Sequence, residues 1–160
     1  KHYPVMTPEE LTAMGIKVNR CTKSDSVLLL WATWPLLPQA VQLVEDWGFQ
    51  YVTGMPWLKV TKVKPALLSP LGIKPTFRFG VGFWLRGISE VLLVARKGNP
   101  DKPCKNYAGM LGSAFEHSRK PDSIYEYAES LNGPYLELFA RRPRGGWDVF
   151  GNQVEGSIKL

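Results

Sequence analysis

The sequence predicts an α/β protein whose sheet is mainly parallel. Continuous apolar runs of strand length alternate along the chain with segments that carry apolar residues at helical spacing. The 160 residues are 44% hydrophobic, which suits one globular domain over residues 1–160 with a substantial core. In sheets of this class, ligands bind at the carboxyl ends of the strands.

Three segments predict helices. The first opens with a threonine N-cap, Thr7, followed by proline and two acids, and should run over residues 7–14 and end at Gly15. The second, AVQLVEDWG (40–48), places its apolar residues at helical spacing and ends at Gly48. The third, SIYEYAESL, follows Pro121-Asp122 and has one apolar face.

The predicted strands are apolar runs between these helices. SVLLLWAT and EVLLVARKG are continuous enough to be covered on both faces. A proline-, glycine- and lysine-rich segment, residues 61–82, is expected to form a long mobile loop, a feature that is usually functional in a compact domain. Strands are predicted at residues 26–33, 49–60, 90–98 and 135–140, with a shorter one in WDVFGN.

The composition indicates which kinds of partner and which compartment to expect. Twenty Lys and Arg against fourteen Asp and Glu give a net charge of +6, which favours an anionic partner, either nucleic acid or a phosphorylated ligand. No apolar run reaches the length of a membrane span, so no membrane partner is expected. Cys21 and Cys104 are widely separated and favour a reduced, cytoplasmic protein, and with His2 and His117 they predict no metal site.

Two polar segments are candidate ligand contacts, each with a plainer alternative. EHSRKPD (116–122) precedes a helix, where free amides and Lys120 would favour an anion, but it is equally typical of a solvated basic loop. In residues 141–153, arginines and amides follow a strand end, and the alternative is a surface hairpin with a basic turn. Trp57 and Trp84 flank the basic loop and could stack on bases, although most tryptophans are core residues.

Taken together, these segments resemble the MT-A70 family of adenine-N6 methyltransferases, and most of all its bacterial and bacteriophage members. The resemblance spans nearly the whole chain, and the combination of HSRKPD, LELFAR and GWDVFGN is specific. The segments that carry it, in family order, are YPVMTPEEL, VLLLWATWPLLPQAVQLVEDWGF, PWLKV, GFWLRGISEVLLVARKGNP, EHSRKPDSIYEYAESL and YLELFARRPRGGWDVFGNQVEG.

The resemblance implies a Rossmann-like fold, a mainly parallel sheet with helices on both faces, that binds S-adenosylmethionine and methylates the N6 amine of adenine. It implies cofactor contacts from Lys120 at the methionine end and from Arg141, Asn152 and Gln153 at the adenosine end, with Arg144 as a further contributor. On the target-adenine side it implies Tyr3 and Glu90, with Trp57 and Trp84 flanking the pocket. Phosphate contacts are expected from the basic loop, through Lys62, Lys64, Lys74 and Arg78.

One departure concerns catalysis. The family's Asp-Pro-Pro-Trp motif, expected upstream of YPVM together with the first strand, does not occur in the 160 residues, so no catalytic residue is assigned here. A fragment is the favoured explanation, and loss of catalysis is the alternative. The expected substrate is DNA; an RNA methyltransferase and an inactive nucleic-acid-binding partner subunit stay open, and either a homodimer or a heterodimer is compatible with the resemblance.

Overall fold

The computed structural model describes residues 5–61, 76–77, 79–80, 82, 84–102, 110–113 and 119–158. The chain divides into two compact units: the first comprises residues 1–100 and 106–124, and the second comprises residues 101–105 and 125–160. Among the described residues, no helix is both long and apolar enough to cross a bilayer.

The first unit is a sheet with helices packed against it. Its helices are α1 (Pro8–Ala13), α2 (Gly15–Cys21) and α3 (Leu37–Asp46), with a 3-10 turn at Trp34–Leu36. Its strands are β1 (Ser26–Ala32), β2 (Gln50–Thr61), β3 (Thr76–Phe77), β4 (Ser89–Lys97) and β5 (Met110–Ser113). Helix α4 (Ser123–Glu129) spans the boundary between the units, and the second unit contains β6 (Tyr135–Leu138) and β7 (Trp147–Phe150).

Helix α1 begins where the sequence predicts. The Thr7 hydroxyl accepts a hydrogen bond from the Glu10 amide at 3.2 Å, and the Glu10 carboxylate accepts one from the Thr7 amide at 2.7 Å, which completes a capping box. The predicted end of this helix is confirmed, since α1 ends at Ala13 with Met14 as its C-cap. Gly15 then starts α2, a helix that was not predicted. A Cβ on Gly15 would lie 2.9 Å from the Trp47 ring, so this glycine permits α2 to pack closely against the C-terminal end of α3.

The prediction of a mainly parallel sheet is wrong for the described residues. The strand order is β1-β4-β2-β3, with β5 also paired to β2, and of these ladders only β2–β5 is parallel. Strands β1 and β2 nevertheless run in the same direction, since β4 lies between them and is antiparallel to both. An apolar run shows that a strand is buried but carries no information about its direction, and this is why the reversed β4 was missed.

The core lies between α3 and the sheet. Val44 and Trp47 come from the α3 side and are at most 1% exposed. Leu92 and Leu93 point to opposite faces of β4 and are both 0% exposed, so the strand is covered on both sides. The Trp47 indole N–H donates to the Leu11 carbonyl at 2.8 Å, so the ring is buried with its polar atom satisfied. This packing holds the sheet whose strands β2 and β4 carry the polar residues described below.

The second unit pairs β6 and β7 in parallel, from Tyr135 opposite Trp147 to Leu138 opposite Phe150. The hairpin alternative for residues 141–153 is therefore wrong, because a hairpin would make the two strands antiparallel. Residues 139–146 connect the strands, and Phe139 at the start of this connection has φ of +60°, an unusual value for a bulky residue. Both strands end at the same edge, which places the residues after Leu138 and after Phe150 side by side.

Candidate functional site

One face of the first unit's sheet brings together residues that are distant in sequence. Trp57 on β2 lies directly opposite Glu90 on β4, and Trp31 on β1 lies opposite Leu92, two residues further along β4. Since side chains alternate between faces, Trp31, Trp57 and Glu90 point to the same side. Lys59 lies two residues after Trp57 and shares that side.

On this face, Glu90 binds two lysines. Its Oε1 lies 2.6 Å from the Lys59 ammonium, and its Oε2 accepts a hydrogen bond from the Lys120 ammonium. The side chains of Glu90, Lys59 and Lys120 are 13%, 22% and 30% exposed, so the three charges are largely withdrawn from water. We call these three residues the Glu90 cluster; it holds two positive charges and one negative charge.

The two lysines decide the ionisation of Glu90. Burial alone would raise the pKa of the Glu90 carboxyl, but hydrogen bonds and charge from Lys120 and Lys59 outweigh it and hold the pKa below the ordinary value. Glu90 is therefore a carboxylate at neutral pH. It orients both ammonium groups and is not available as a proton donor.

Aromatic rings adjoin the cluster. The Lys120 ammonium lies 5.3 Å from the centre of the Trp31 ring and 5.4 Å from that of Trp57, and the Lys59 ammonium lies 5.5 Å from Trp57. The two indoles meet edge to face, with centroids 5.6 Å apart. Trp57 is 2% exposed, and its buried indole N–H finds no acceptor in the described part of the chain. A cation set against flat rings is suited to holding an anionic ligand beside an aromatic one.

A second polar group follows the strand ends of the second unit. The Arg141 guanidinium donates to the Gln153 side-chain oxygen at 2.9 Å, which links the residues after β6 to those after β7. Asn152 lies in the same turn as Gln153 and is exposed. Gly151 makes this approach possible, because a Cβ there would lie 2.2 Å from the Ala140 carbonyl oxygen.

Arg144 is held in a different way. Its guanidinium donates to both oxygens of Glu129, at 2.8 and 3.0 Å, and lies 4.3 Å from the centre of the Tyr125 ring. The Trp147 indole donates to the same carboxylate at 2.9 Å and stacks on Tyr135 with centroids 4.9 Å apart. Arg144 thereby fixes the connection between β6 and β7 onto α4.

The predicted site residues fall into distinct places. Lys120, predicted for the cofactor, contacts Glu90, predicted for the adenine side. Trp84 is 97% exposed. Lys59 and Trp31 were missed, although Lys59 could have been found from its i, i+2 relation to Trp57 on a strand. Five predicted residues lie outside the described ones: Tyr3, Lys62, Lys64, Lys74 and Arg78.

Comparison with known proteins identifies the family. The model of the MT-A70 family matches residues 2–153. The chain belongs to the MT-A70 family. The predicted family is therefore confirmed. Because MT-A70 N6-adenosine methyltransferases depend on S-adenosylmethionine, the predicted cofactor is confirmed at the level of the family.

Individual MT-A70 relatives come from plants, animals and bacteria. The chain is 28% identical over 160 residues to an N(6)-adenosine-methyltransferase MT-A70-like protein of Arabidopsis thaliana, covering 96% of the chain and 22% of that relative. It is 28% identical over 161 residues to the human N(6)-adenosine-methyltransferase catalytic subunit METTL3, covering 96% and 26%. It is 28% identical over 160 residues to the Type II methyltransferase M.MunI of Mycoplasma sp, covering 95% and 60%. The chain thus spans less than two thirds of each of these relatives.

Proposed function

We propose that this chain carries the cofactor- and target-binding part of an S-adenosylmethionine-dependent adenine-N6 methyltransferase that acts on DNA. The observation that carries the proposal is the Glu90 cluster, in which Lys120 and Glu90 meet against Trp57 and Trp31. The resemblance to the family assigned Lys120 to the cofactor and Glu90 and Trp57 to the target base. Their proximity is what a methyl transfer between those two molecules requires.

The polar groups present fit the proposed cofactor. The Lys120 ammonium has three N–H donors, and one of them binds Glu90 Oε2. The ammonium can therefore also donate to the cofactor's carboxylate. Arg141 and Gln153, held to each other at 2.9 Å, and the neighbouring Asn152 offer donors and acceptors of the kind that bind the ribose and adenine of a nucleoside. When bound, S-adenosylmethionine supplies a methyl group already activated by its sulfonium.

The chain's own residues then have to position an amine. The lone pair of an adenine amine is delocalised into the ring, so alignment with the methyl group matters more than proton removal. The half-buried Trp31 ring suits stacking of a base that has left its duplex, a step that costs a few kcal/mol. The buried Trp57 ring supports Trp31 edge to face. Lys120 and Lys59 lend positive charge to the same place. A carboxylate acceptor for the amine, which the family takes from its Asp-Pro-Pro-Trp motif, is not among these 160 residues.

The described sheet of the first unit is mainly antiparallel, but two features of the strands support the proposed Rossmann-like fold. Strands β1 and β2 run in the same direction with one reversed strand between them, and β6 and β7 are parallel. The predicted adenosine-binding residues follow the carboxyl ends of β6 and β7, where ligands bind in open α/β sheets.

Calorimetric titration of S-adenosylmethionine tests the cofactor assignment. Lys120→Ala and Asn152→Ala should each weaken binding to the full natural chain without lowering its melting temperature by more than a few degrees. Lys23→Ala, which removes an exposed lysine, is the matched control and should bind as the wild type does. Wild-type affinity in both Lys120→Ala and Asn152→Ala would rule out the assigned residues.

Methyl transfer to oligonucleotides of matched sequence tests the substrate. Transfer to DNA over RNA would support the proposal, which rests on the resemblance to bacterial and bacteriophage members and on the similarity to the Type II methyltransferase M.MunI. RNA is the second candidate, since the eukaryotic relatives are named for N(6)-adenosine, a ribonucleoside. Binding of nucleic acid without transfer to either would indicate an inactive partner subunit.

The basic loop is proposed to contact phosphates. Replacing its four cations with glutamine should weaken nucleic-acid binding and reduce the slope of log K against log salt concentration, because fewer counterions are released. An unchanged slope would remove the loop from the interface. The residues to replace are Lys62, Lys64, Lys74 and Arg78.

A further inference from the structure

Lys59 was not among the predicted site residues, yet its geometry is specific. Its ammonium lies 2.6 Å from Glu90 Oε1, on the oxygen that Lys120 does not use, and 5.5 Å from the centre of the Trp57 ring. Its side chain is 22% exposed, although a lysine on a strand end could easily extend into water. The cluster therefore keeps a second cation where one would already satisfy the carboxylate.

We propose that Lys59 is a positioning residue whose charge allows Glu90 and the carboxylate of the methyl donor to be held ionised at Lys120 at the same time. The inference rests on the proposed function, since it takes Lys120 as the group that binds the donor's carboxylate.

The argument is one of charge balance. The free cluster holds two ammonium groups and one carboxylate, a net charge of +1, and a ligand carboxylate brings the set to zero. Without Lys59, two carboxylates would face the single ammonium of Lys120, so these groups would carry −1 in a place largely withdrawn from water. The ligand's own ammonium and sulfonium are present in both proteins and do not change this difference of one charge. Two like charges held by one ammonium repel each other, and the repulsion is stronger where solvent screens them poorly.

No other described charged group would replace the positive charge of Lys59 beside Glu90. The charged groups that act on Glu90 are Lys59 from β2 and Lys120 from the segment before α4, whereas β1 contributes the uncharged Trp31 ring. Once Lys59 is removed, the remaining way to relieve the repulsion is for Glu90 to take up a proton when the ligand binds. Burial already favours the protonated form of Glu90, so this uptake should be observable.

Lys59→Met tests the proposal because it keeps the aliphatic stem on Trp57 and removes the charge. In calorimetry on the full natural chain at pH 8, Lys59→Met should weaken S-adenosylmethionine binding on the order of tenfold or more, and Lys59→Arg should stay near the wild type. The loss should shrink as the pH falls towards 5.5, with a measured proton uptake that the wild type lacks. Lys23→Met, an exposed lysine of the same unit, should change none of these.

Two controls separate charge from packing. Adding Glu90→Gln to Lys59→Met should restore much of the affinity, because it removes the negative charge that Lys59 balanced. Decarboxylated S-adenosylmethionine has no carboxylate to repel, so its binding should be equal in the wild type and in Lys59→Met. A merely structural role of Lys59 would produce neither the rescue nor this dependence on the ligand.

The outcomes are distinguishable. Wild-type protein that fails to bind S-adenosylmethionine would overturn the proposed function and this inference with it. Wild-type binding together with an unchanged or pH-independent affinity in Lys59→Met would overturn the role of Lys59 and leave the proposed function standing.

Discussion

Replacing Gly151 with alanine should disrupt the turn that carries the predicted adenosine-binding residues. An ideal Cβ at Gly151 would lie 2.2 Å from the carbonyl oxygen, 2.8 Å from the nitrogen and 3.1 Å from the carbonyl carbon of Ala140. All three are backbone atoms, so no side chain can rotate away. Ala140 is itself 1% exposed, and its N–H donates to the Phe150 carbonyl at 3.0 Å.

The size of the effect follows from these distances. Carbon and oxygen atoms in contact normally lie well beyond 3 Å apart, so the two backbone segments must separate by about 1 Å. Overpacking costs about 1–3 kcal/mol where side chains can adjust. Because only backbone can move here, the loss in free energy of unfolding should lie at the upper end, at about 3 kcal/mol. The displaced Asn152 and Gln153 should also bind S-adenosylmethionine more weakly.

Gly145→Ala is the matched control. Nothing lies within 4 Å of a Cβ at Gly145, which belongs to the same unit as Gly151. The same substitution at Gly145 should therefore be neutral or stabilise the fold by up to about 1 kcal/mol, through the lower entropy of the unfolded chain. Urea denaturation followed by circular dichroism gives both free energies, and calorimetry gives the cofactor affinity. Equal stabilities of the two variants would refute the close approach of Gly151 to Ala140.

Three further predictions concern burial and pH. Trp47→Ala should lower the free energy of unfolding by about 3–5 kcal/mol, because Trp47 is 1% exposed. Trp84→Ala should lower it by less than about 0.5 kcal/mol, because Trp84 is 97% exposed. Similar losses for the two variants in urea denaturation would contradict the burial of Trp47. Burial, followed by the charge of Glu137, raises the pKa of Tyr125 to about 12 from 10.0, so the stability that Tyr125 contributes is complete below pH 10 and is lost as the pH rises towards 12. Tyr125→Phe should therefore lose stability less steeply over that range, and identical curves of unfolding free energy against pH would count against it. The pKa of Glu90 is lowered from 4.5, so the stability that Glu90 contributes is present above pH 4.5 and is lost as the pH falls through the folded-state pKa. Glu90→Gln should therefore flatten the loss of unfolding free energy at acid pH. An unchanged acid loss would show that the pairing of Glu90 with the two lysines adds no stability.

Local signals in the sequence predicted local structure. The capping box at Thr7 and the left-handed Gly48, with φ of +78°, mark helix ends through contacts within a few residues, and both were found where expected. Helix α2 was missed because the role of Gly15 depends on Trp47, which lies far along the chain. Strands β3 and β5 were missed because each is short and depends on pairing with β2.

The candidate site was predicted in parts that the sequence could not assemble. Lys120 and Glu90 were each singled out by the family resemblance, but for different ligands, and their contact spans 30 positions. Contacts of this separation depend on strand order, and here on a reversed β4 that places Glu90 opposite Trp57. Whether β4 pairs in this way is set by the tertiary fold and not by its own apolar pattern.

Glu90 itself shows which sequence signal was underused. It is the second residue of β4, SEVLLVARK, and directly precedes the apolar run VLLVA. A carboxylate that is 13% exposed in such a place must be compensated by cations or hydrogen-bond donors. The compensation had to come from residues on the same face, and Lys59 satisfies this by its spacing from Trp57. A charged residue inside a predicted core strand is therefore a better guide to a functional site than the basic loop, because a buried charge is costly unless other residues are arranged around it, whereas a solvated charge needs no such arrangement.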